Sequence, residues 1–200
     1  TKLKAPDGIS YVENPHVSAV AAAWAAFALC GVFCAHAATW YVSPDGDDDN
    51  SGTSASPFKT IQKGIDSAAQ CDIVEIADGT YYITEPLTLD DHEVELKSAS
   101  LDPSKVVVDA QNQCVCVSNG VETCENILNS ITFKNGHSTV AGNVAGGIYS
   151  LGKTLVTNCV VRDCYHEAAD GNVYAGGIYL TNYKNDPESM SSHWTNPQFL

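Results

Sequence analysis

The chain is short of positive charge. Its 200 residues contain 24 Asp and Glu residues against 10 Lys and Arg residues, which gives a formal net charge of −14. A surface of this sign repels nucleic acid and anionic lipid, so neither is expected as a partner. The hydrophobic share of 44% and the charged share of 17% are those of a folded protein and exclude wholesale disorder. The length allows one domain, with or without a processed leader.

No Asp, Glu, Lys or Arg occurs in residues 17–38. The run ends in Ala35-His36-Ala37, a small-x-small pattern of the kind that signal peptidase cleaves. Residues 1–37 are therefore predicted to be a cleaved secretory signal peptide, and the mature protein is expected to be exported. The alternative is an uncleaved membrane anchor, because the run is long enough to span a bilayer.

The cysteines lack the paired C-x2-C spacing of a zinc site. An exported chain meets an oxidising compartment, so disulfides are permitted, but the sequence does not choose among the pairings. Several cysteines are also candidates for buried rungs, because a free cysteine behaves as a small hydrophobe. Cys114 and Cys116 should place both sulfurs on one face of a strand. Six cysteines remain after the predicted cleavage: Cys71, Cys114, Cys116, Cys124, Cys159 and Cys164.

What the sequence does contain is an internal repeat. Ala145-Gly-Gly-Ile-Tyr149 recurs 30 residues later as Ala175-Gly-Gly-Ile-Tyr179, and residues 128–136 can be laid over residues 156–164, 28 positions later. A period between about 20 and 50 residues is typical of a solenoid, whose units bury their apolar faces only against neighbouring units. The units are rich in Ile, Val, Thr, Phe and Tyr and are punctuated by Gly, Asn and Asp, which predicts strands.

Short runs of alternating apolar and polar residues predict strands along most of the chain. Most neighbouring runs lack a hairpin turn between them, which favours successive faces of a coil over an antiparallel meander. We predict four to five such coils within residues 71–183, with right-handed crossovers. The tail, residues 184–200, loses the period and is predicted to be irregular, in a chain that stops inside a longer protein. The predicted strands are residues 39–43, 72–77, 80–84, 87–89, 94–96 and 106–109.

One amphipathic helix is predicted before the first coil, over residues 58–69. Its apolar residues, from Phe58 to Ala69, fall on one face of a 3.6-residue period. Pro57 suits the first helical turn and Ser56 is the expected N-cap. Together with a strand and an acidic loop, this helix makes up the segment of residues 38–70 and is expected to cap the first coil.

Two sets of residues resemble known families. Trp40-Tyr-Val-Ser-Pro-Asp-Gly46, Ser56-Pro-Phe-Lys-Thr-Ile-Gln-Lys-Gly-Ile-Asp66 and Ile76-Ala-Asp-Gly-Thr-Tyr81 resemble the N-terminal segment of right-handed parallel β-helix proteins, which include pectate-lyase-like polysaccharide lyases. The Gly-Gly-Ile-Tyr repeats with Phe133-Lys-Asn135 are similar to those of polymorphic outer-membrane autotransporters. The resemblance implies an all-β solenoid, a right-handed parallel β-helix with an N-terminal capping helix. It also implies a protein that is secreted or held at the cell surface or outer membrane.

Two functions from different classes fit this fold. The first is a non-catalytic, adhesin-type module that binds polysaccharide or cell-surface glycans through its lateral face. The second is a polysaccharide lyase that performs calcium-assisted β-elimination on acidic glycans, with its active coils lying largely beyond Leu200; a glycoside hydrolase is a variant of this enzyme hypothesis. We prefer the first function, because no single catalytic cluster occurs in the sequence.

The enzyme hypothesis has three candidate bases. In the lyases that this chain resembles, a Lys or Arg acts beside a bound calcium ion, and the resemblance points here to Lys134, Lys153 and Arg162. Lys134 and Arg162 occupy equivalent positions in the two repeats. A position that recurs from coil to coil favours a structural role, since an active site occurs once.

Asp45, Asp47 and Asp49 in the acidic loop are candidate calcium ligands. Hard carboxylate oxygens crowded on a loop suit this ion, which would then be the protein's one cofactor. The alternative is a solvated acidic turn, the usual role of a charge run.

Tyr149 and Tyr179 are candidate glycan contacts. They hold the same position in two repeats, so they should lie one above the other and point outward, while Ile148 and Ile178 stack in the core. The alternative is ordinary packing on the sheet surface. The Gly-Gly pairs before them should share a corner of successive coils, through a positive φ or a close approach of neighbouring coils.

Overall fold

The computed structural model describes residues 37–121, 125–139, 145–167, 173–174, 176–181 and 198–199. The predicted signal peptide lies outside these residues except for Ala37, so its cleavage and the anchor alternative stay predictions. In the described part of the chain, no helix is long and apolar enough to cross a membrane.

The structure consists of short strands and a single short helix within the described ranges. The helix, α1, comprises Ile61–Ser67. The strands are β1 (Thr39–Val42), β2 (Ile73–Ile76), β3 (Gly79–Tyr82), β4 (Leu87–Thr88), β5 (Glu95–Ser98), β6 (Val106–Asp109), β7 (Val117–Asn119), β8 (Glu125–Asn129), β9 (Thr132–Lys134), β10 (His137–Ser138), β11 (Ile148–Ser150), β12 (Lys153–Thr157), β13 (Val160–Arg162), β14 (Tyr165–Glu167), β15 (Val173–Tyr174), β16 (Ile178–Leu180) and β17 (Gln198–Phe199).

Three parallel sheets run along the molecule. Sheet A has the order β1-β2-β5-β8-β12, sheet B has β3-β6-β9-β13-β17, and sheet C has β4-β7-β11-β16. The chain visits A, B and C in turn, so each coil places one strand in each sheet. A small fourth sheet, β10-β14-β15, holds the one antiparallel pair among the described strands, β14 with β15. The predicted all-β solenoid of the parallel β-helix type is confirmed.

Among the described residues, sheet C contains four strands, β4, β7, β11 and β16, so the chain passes through this sheet four times and makes about three full turns between the first pass and the last. Four passes agree with the four to five coils that the sequence predicts. In the predicted irregular tail, the described residues Gln198 and Phe199 form β17, which pairs with β13 in parallel.

The core consists of side chains stacked in register from coil to coil. In sheet A, Val74, Leu96 and Leu128 form one row, and all three are fully buried. In sheet C, Val117 and Ile148 continue a row that begins at Leu87. Each such side chain contributes about 1.5–3 kcal/mol through burial, and each contacts a partner in the next coil.

Helix α1 caps the first coil, but it begins later than predicted. Thr60, not Ser56, is the N-cap, and its hydroxyl accepts a hydrogen bond from the Lys63 N–H. The reason lies in the backbone of Phe58, whose N–H and C=O bond to Tyr41 and Ser43 at 2.9 Å each. Phe58 therefore pairs with β1 through its backbone, and its N–H and C=O groups are not available to start the helix.

The Gly-Gly pairs share a corner because the coils approach each other closely there. The Gly146 and Gly147 N–H groups both donate to the Gly176 carbonyl, at 3.0 and 3.1 Å. A Cβ atom on Gly147 would lie 2.3 Å from the Gly177 carbonyl oxygen. The alternative explanation, a positive φ, is wrong for these pairs.

Candidate functional site

The outward face of sheet C carries one row of four residues in register: Thr88, Ser118, Tyr149 and Tyr179. Their inward-facing neighbours include Leu87, Val117 and Ile148, which are buried in the core. Successive residues of a strand point to opposite faces, so the four side chains of the row point away from the core.

The two tyrosines stack as the repeat predicts. Their ring centroids are 5.7 Å apart with an interplanar angle of 9°. The preceding residues of the same two strands, Ile148 and Ile178, also pair with each other, which confirms the predicted register. Burial raises the pKa of the Tyr149 phenol, and the neighbouring Tyr179 raises it further, so Tyr149 is a neutral hydroxyl at physiological pH.

From the first coil to the last, the side chains of this row change from two small hydroxyl residues to two tyrosines. One face of the Tyr149 ring lies against Tyr179, and the opposite face is directed towards Ser118 and then Thr88, one coil and two coils away. We call these four residues the tyrosine step. A flat aromatic face beside two small hydroxyl side chains is an arrangement that can stack on the C–H face of a sugar and hydrogen-bond to its hydroxyls.

The three candidate bases of the enzyme hypothesis are each paired with a carboxylate. Lys134 Nζ lies 3.0 Å from Asp109 Oδ2, and Arg162 Nη1 donates to Asp163 Oδ2 at 2.7 Å. Lys153 forms an ion pair with Glu125 on the neighbouring coil. Arg162 and Lys134 are in register on adjacent coils, as the repeat predicts.

Asp109, Lys134 and Arg162 are in register on neighbouring strands of sheet B, and we call them the polar row. Asp109 is 6% exposed and accepts hydrogen bonds from Asn135 Nδ2 at 2.8 Å and the Gln111 N–H at 2.9 Å. Burial raises the pKa of this carboxyl, but the hydrogen bonds from Asn135, Gln111 and Lys134 outweigh burial and hold it below its ordinary value. The arrangement ties neighbouring coils together through an ionised carboxylate.

The acidic loop uses a carboxylate that the sequence analysis did not single out. Asp48 Oδ1 accepts hydrogen bonds from the Lys59 and Thr60 N–H groups at 2.9 and 2.8 Å, and Oδ2 accepts one from the Thr60 hydroxyl at 2.8 Å. Partial burial raises the pKa of Asp48, but these hydrogen bonds bring it below the ordinary value. Asp48 therefore holds the start of α1. No local pattern marks this role, because the partners lie 11 and 12 residues away.

Asp45, Asp47 and Asp49 are all exposed on the same loop. Asp47 Oδ1 accepts a hydrogen bond from the Asp49 N–H at 3.0 Å, which closes a local turn. Within the described residues, no group of three or more His, Cys, Asp and Glu side chains is placed so that it could hold a metal ion. Calcium binding by these three residues stays a prediction.

A cleft of about 540 Å³ lies beside α1. Lys59, Gln62 and Glu85 are among its polar lining residues, and Tyr82, which is 68% exposed, forms part of its wall. None of the lining residues belongs to the tyrosine step, although Leu87 adjoins Thr88 in the chain.

Comparison with known proteins adds support at the level of the fold. Residues 44–93 match a family described as "Protein of unknown function (DUF1565)", which is associated with β-helix proteins. The matched residues include the acidic loop, α1 and the whole lining of the cleft.

A curated relative matches a stretch of similar length. It is the "Uncharacterized protein YwoF" of Bacillus subtilis (strain 168), which is 46% identical over 44 residues. The match covers 22% of this chain and 9% of that protein. No solved structure matches the chain.

Proposed function

We propose that this chain is part of an exported or cell-surface β-helix protein that binds polysaccharide without cleaving it, through the tyrosine step. The observation that carries the proposal is the Tyr149 ring, stacked on Tyr179 on one side and directed towards small hydroxyl residues on the other. A sugar on this face gains stacking from the ring and hydrogen bonds from Ser118 and Thr88.

The charge of the chain narrows the class of glycan. With a net charge of −14, the protein repels polyanions such as polyuronates. The step itself consists of neutral residues, since its members are two hydroxyl side chains and two phenols. The expected ligand is therefore a neutral polysaccharide.

We prefer glycan binding to the pectate-lyase-like alternative because the candidate bases of a lyase are held in ion pairs. A base for β-elimination must accept a proton from the sugar, and Lys134, Lys153 and Arg162 are each held by a carboxylate of the protein. Lys134 and Arg162 also repeat on adjacent coils, which is the behaviour of structural residues.

The experiment is a glycan array of neutral and uronate polysaccharides probed with the full chain and two variants. Tyr149→Ala should weaken binding to the neutral glycan about tenfold, the equivalent of one aromatic stacking contact. Tyr82→Ala tests the cleft and should leave binding unchanged. Loss of binding in Tyr82→Ala with retention in Tyr149→Ala would move the site to the cleft.

The same preparation tests the enzyme alternative. Incubation with polyuronates and calcium should release no unsaturated uronates, measured by ultraviolet absorbance. Calcium-dependent release that disappears in Lys134→Ala would establish the lyase and overturn the proposal.

A further inference from the structure

The sequence contains two Asn-Gly pairs, Asn119-Gly120 and Asn135-Gly136. In such a pair the backbone nitrogen of the glycine can attack the side-chain amide of the asparagine, because glycine has no Cβ atom in the way. The attack closes a succinimide ring and releases ammonia. The structure surrounds the two pairs differently, and the difference determines which of them is set up to react.

The amide group of Asn119 is held at its oxygen and not at its nitrogen. Asn119 ends β7, and its side chain is fully buried. Its Oδ1 accepts a hydrogen bond from the Val121 N–H at 3.1 Å, which folds the side chain back along the following backbone. Among the described residues, Asn119 Nδ2 has no hydrogen-bond partner. Buried polar groups are nearly always paired, so this nitrogen calls for an explanation.

The backbone nitrogen of Gly120 has a carboxylate beside it. The Gly120 N–H donates a hydrogen bond to Asp90 Oδ1. Asp90 lies one coil earlier at the same corner, since Thr88 pairs with Ser118 and the Leu89 N–H donates to the Ser118 carbonyl at 2.9 Å. A carboxylate in this position can accept the proton that the nitrogen loses when it attacks. Gly120 is also exposed, so water reaches this backbone.

The second pair, Asn135-Gly136, has the opposite arrangement. Asn135 Nδ2 donates to Asp109 Oδ1 at 2.8 Å, so the nitrogen that would have to leave is held in place. The Gly136 N–H bonds at 3.3 Å to Cys164 Sγ instead of to a carboxylate. A Cβ atom on Gly136 would lie 2.1 Å from the Gly146 carbonyl oxygen. This backbone is tightly packed, which opposes the movement that ring closure needs.

We propose that Asn119-Gly120 is a self-modification site, at which the Gly120 nitrogen attacks Asn119 Cγ and Asp90 accepts the proton. The product has aspartate or isoaspartate in place of Asn119. It adds a negative charge to the coil that carries Ser118, next to the tyrosine step. Asn135 stays an amide under the same conditions.

The reaction needs no co-reactant except water. The Gly120 nitrogen forms a bond to Asn119 Cγ as its proton passes to Asp90 Oδ1. The Val121 N–H stabilises the negative charge that develops on Asn119 Oδ1. The Cγ–Nδ2 bond then breaks, and the nitrogen leaves as ammonia with the proton that Asp90 returns. Water opens the ring at either carbonyl, which gives aspartate or isoaspartate.

The test is peptide mapping by mass spectrometry during incubation of the full chain at mildly alkaline pH, with hydroxylamine cleavage to locate the succinimide. In the folded protein, Asn119 should be deamidated at least about tenfold faster than Asn135, because only Asn119 has a carboxylate placed as a base. In the urea-unfolded chain, the two rates should be similar. Equal rates in the folded protein, or a ratio that urea leaves unchanged, would overturn the proposal.

Two substitutions separate the base from its surroundings. Asp90→Asn should slow deamidation of Asn119 at least about tenfold. The exposed neighbour Asp91→Asn is the matched control and should leave the rate unchanged. Wild-type rates in Asp90→Asn would contradict the role of this carboxylate.

Gly120→Ala keeps the proposal testable if Asp90→Asn does not fold. Its Cβ atom would find its nearest atom at 3.5 Å, so the fold accommodates it, while the added methyl group hinders the attacking nitrogen. Deamidation of Asn119 should become slower than in the wild-type protein, and an unchanged rate would contradict the proposed attack. Glycan binding is not part of any readout, so the outcome is independent of the proposed function.

Discussion

The first coil and the later coils of this β-helix are stabilised in different ways. The end that carries β1 and α1 depends on single side chains that bond to backbone groups, such as Asp48, Asp72 and Gln62. The later coils depend on rows of equivalent residues that pair in register, such as Ile148 with Ile178. The difference follows from position, because backbone groups at the end of a solenoid have no further coil to pair with and must find side-chain partners.

Asp72 illustrates the arrangement at the end of the solenoid. It is 4% exposed and accepts hydrogen bonds from the Ala38 N–H, the Trp40 indole and the Ala69 N–H at 2.8–2.9 Å. Gln62 bonds to the backbone of Thr88 through both its amide oxygen and its amide nitrogen, at 2.9 and 3.2 Å. Both side chains supply hydrogen-bond partners to backbone groups of the first coil. In the later coils, the backbone of the preceding coil supplies such partners.

The largest loss of stability is expected for a substitution in the later, repeated coils. Gly147→Val should destabilise the protein by about 3 kcal/mol or more, because its Cβ would lie 2.3 Å from the Gly177 carbonyl oxygen and the backbone would have to move. Urea unfolding followed by circular dichroism measures the change. Gly120→Ala is the control, since its Cβ would find its nearest atom at 3.5 Å. Equal stability of Gly147→Val and the wild-type protein would show that the coils do not approach closely at this corner.

At the capping end, Asp72→Asn should cost about 2–4 kcal/mol, because it replaces an acceptor of three hydrogen bonds in a buried position. The exposed Asp47→Asn should cost little. Urea midpoints of the two variants compare them directly. If both variants behave alike, the capping role of Asp72 is wrong.

Acidic pH should weaken the stabilisation that the Asp72 carboxylate provides. Burial raises the pKa of Asp72, but the hydrogen bonds from Trp40, Ala69 and Ala38 hold it below the ordinary value in the folded state. The stabilisation is therefore present above the unfolded pKa of about 4 and is lost as pH falls through the lower, folded pKa. Stability measured between pH 6 and pH 2 (roughly the window that these pKa values define) should fall less steeply in Asp72→Asn than in the wild-type protein. Parallel curves would contradict this assignment.

Asp48→Ala should have an intermediate effect of about 1 kcal/mol, the usual cost of losing a helix cap. The neighbouring Asp49→Ala is the matched control, since Asp49 is exposed and only its backbone N–H bonds to Asp47. Thermal midpoints should separate the two variants. A larger loss in Asp49→Ala would instead point to a role for the exposed carboxylates, such as the predicted calcium site.

The smallest effect is expected at an exposed ion pair between coils. Lys153→Ala removes the pair with Glu125 and should change stability by about 0–1 kcal/mol, because both side chains are exposed and water screens the pair. Lys134→Ala should lower the stability more. The Asp109 side chain is only 9% exposed, and this substitution leaves its carboxylate without a cationic partner. The reverse order of the two variants would contradict the structural role of the polar row.

The comparison also explains how far the sequence could predict the structure. The repeated residues gave the register of Ile148 with Ile178 and of Tyr149 with Tyr179, because the same five-residue motif occurs in both of these coils. The N-cap at Thr60 could not be predicted from local rules, since the Phe58 backbone bonds to β1 and delays the helix. The Cys116 and Cys164 sulfurs both lie against Gly136, which is one coil away from each, and no local signal in the sequence marks this arrangement.

One measurement tests the glycan site most directly: titration of the neutral polysaccharide found on the array into the wild-type protein and into Ser118→Tyr, followed by calorimetry. The new ring would extend the stack and cover the free face of Tyr149, so binding should weaken at least about tenfold while the thermal midpoint is retained. Ser118→Ala removes one hydroxyl but leaves that face uncovered, so it should weaken binding less than Ser118→Tyr does. Undiminished binding by a folded Ser118→Tyr would contradict the tyrosine step as the glycan site.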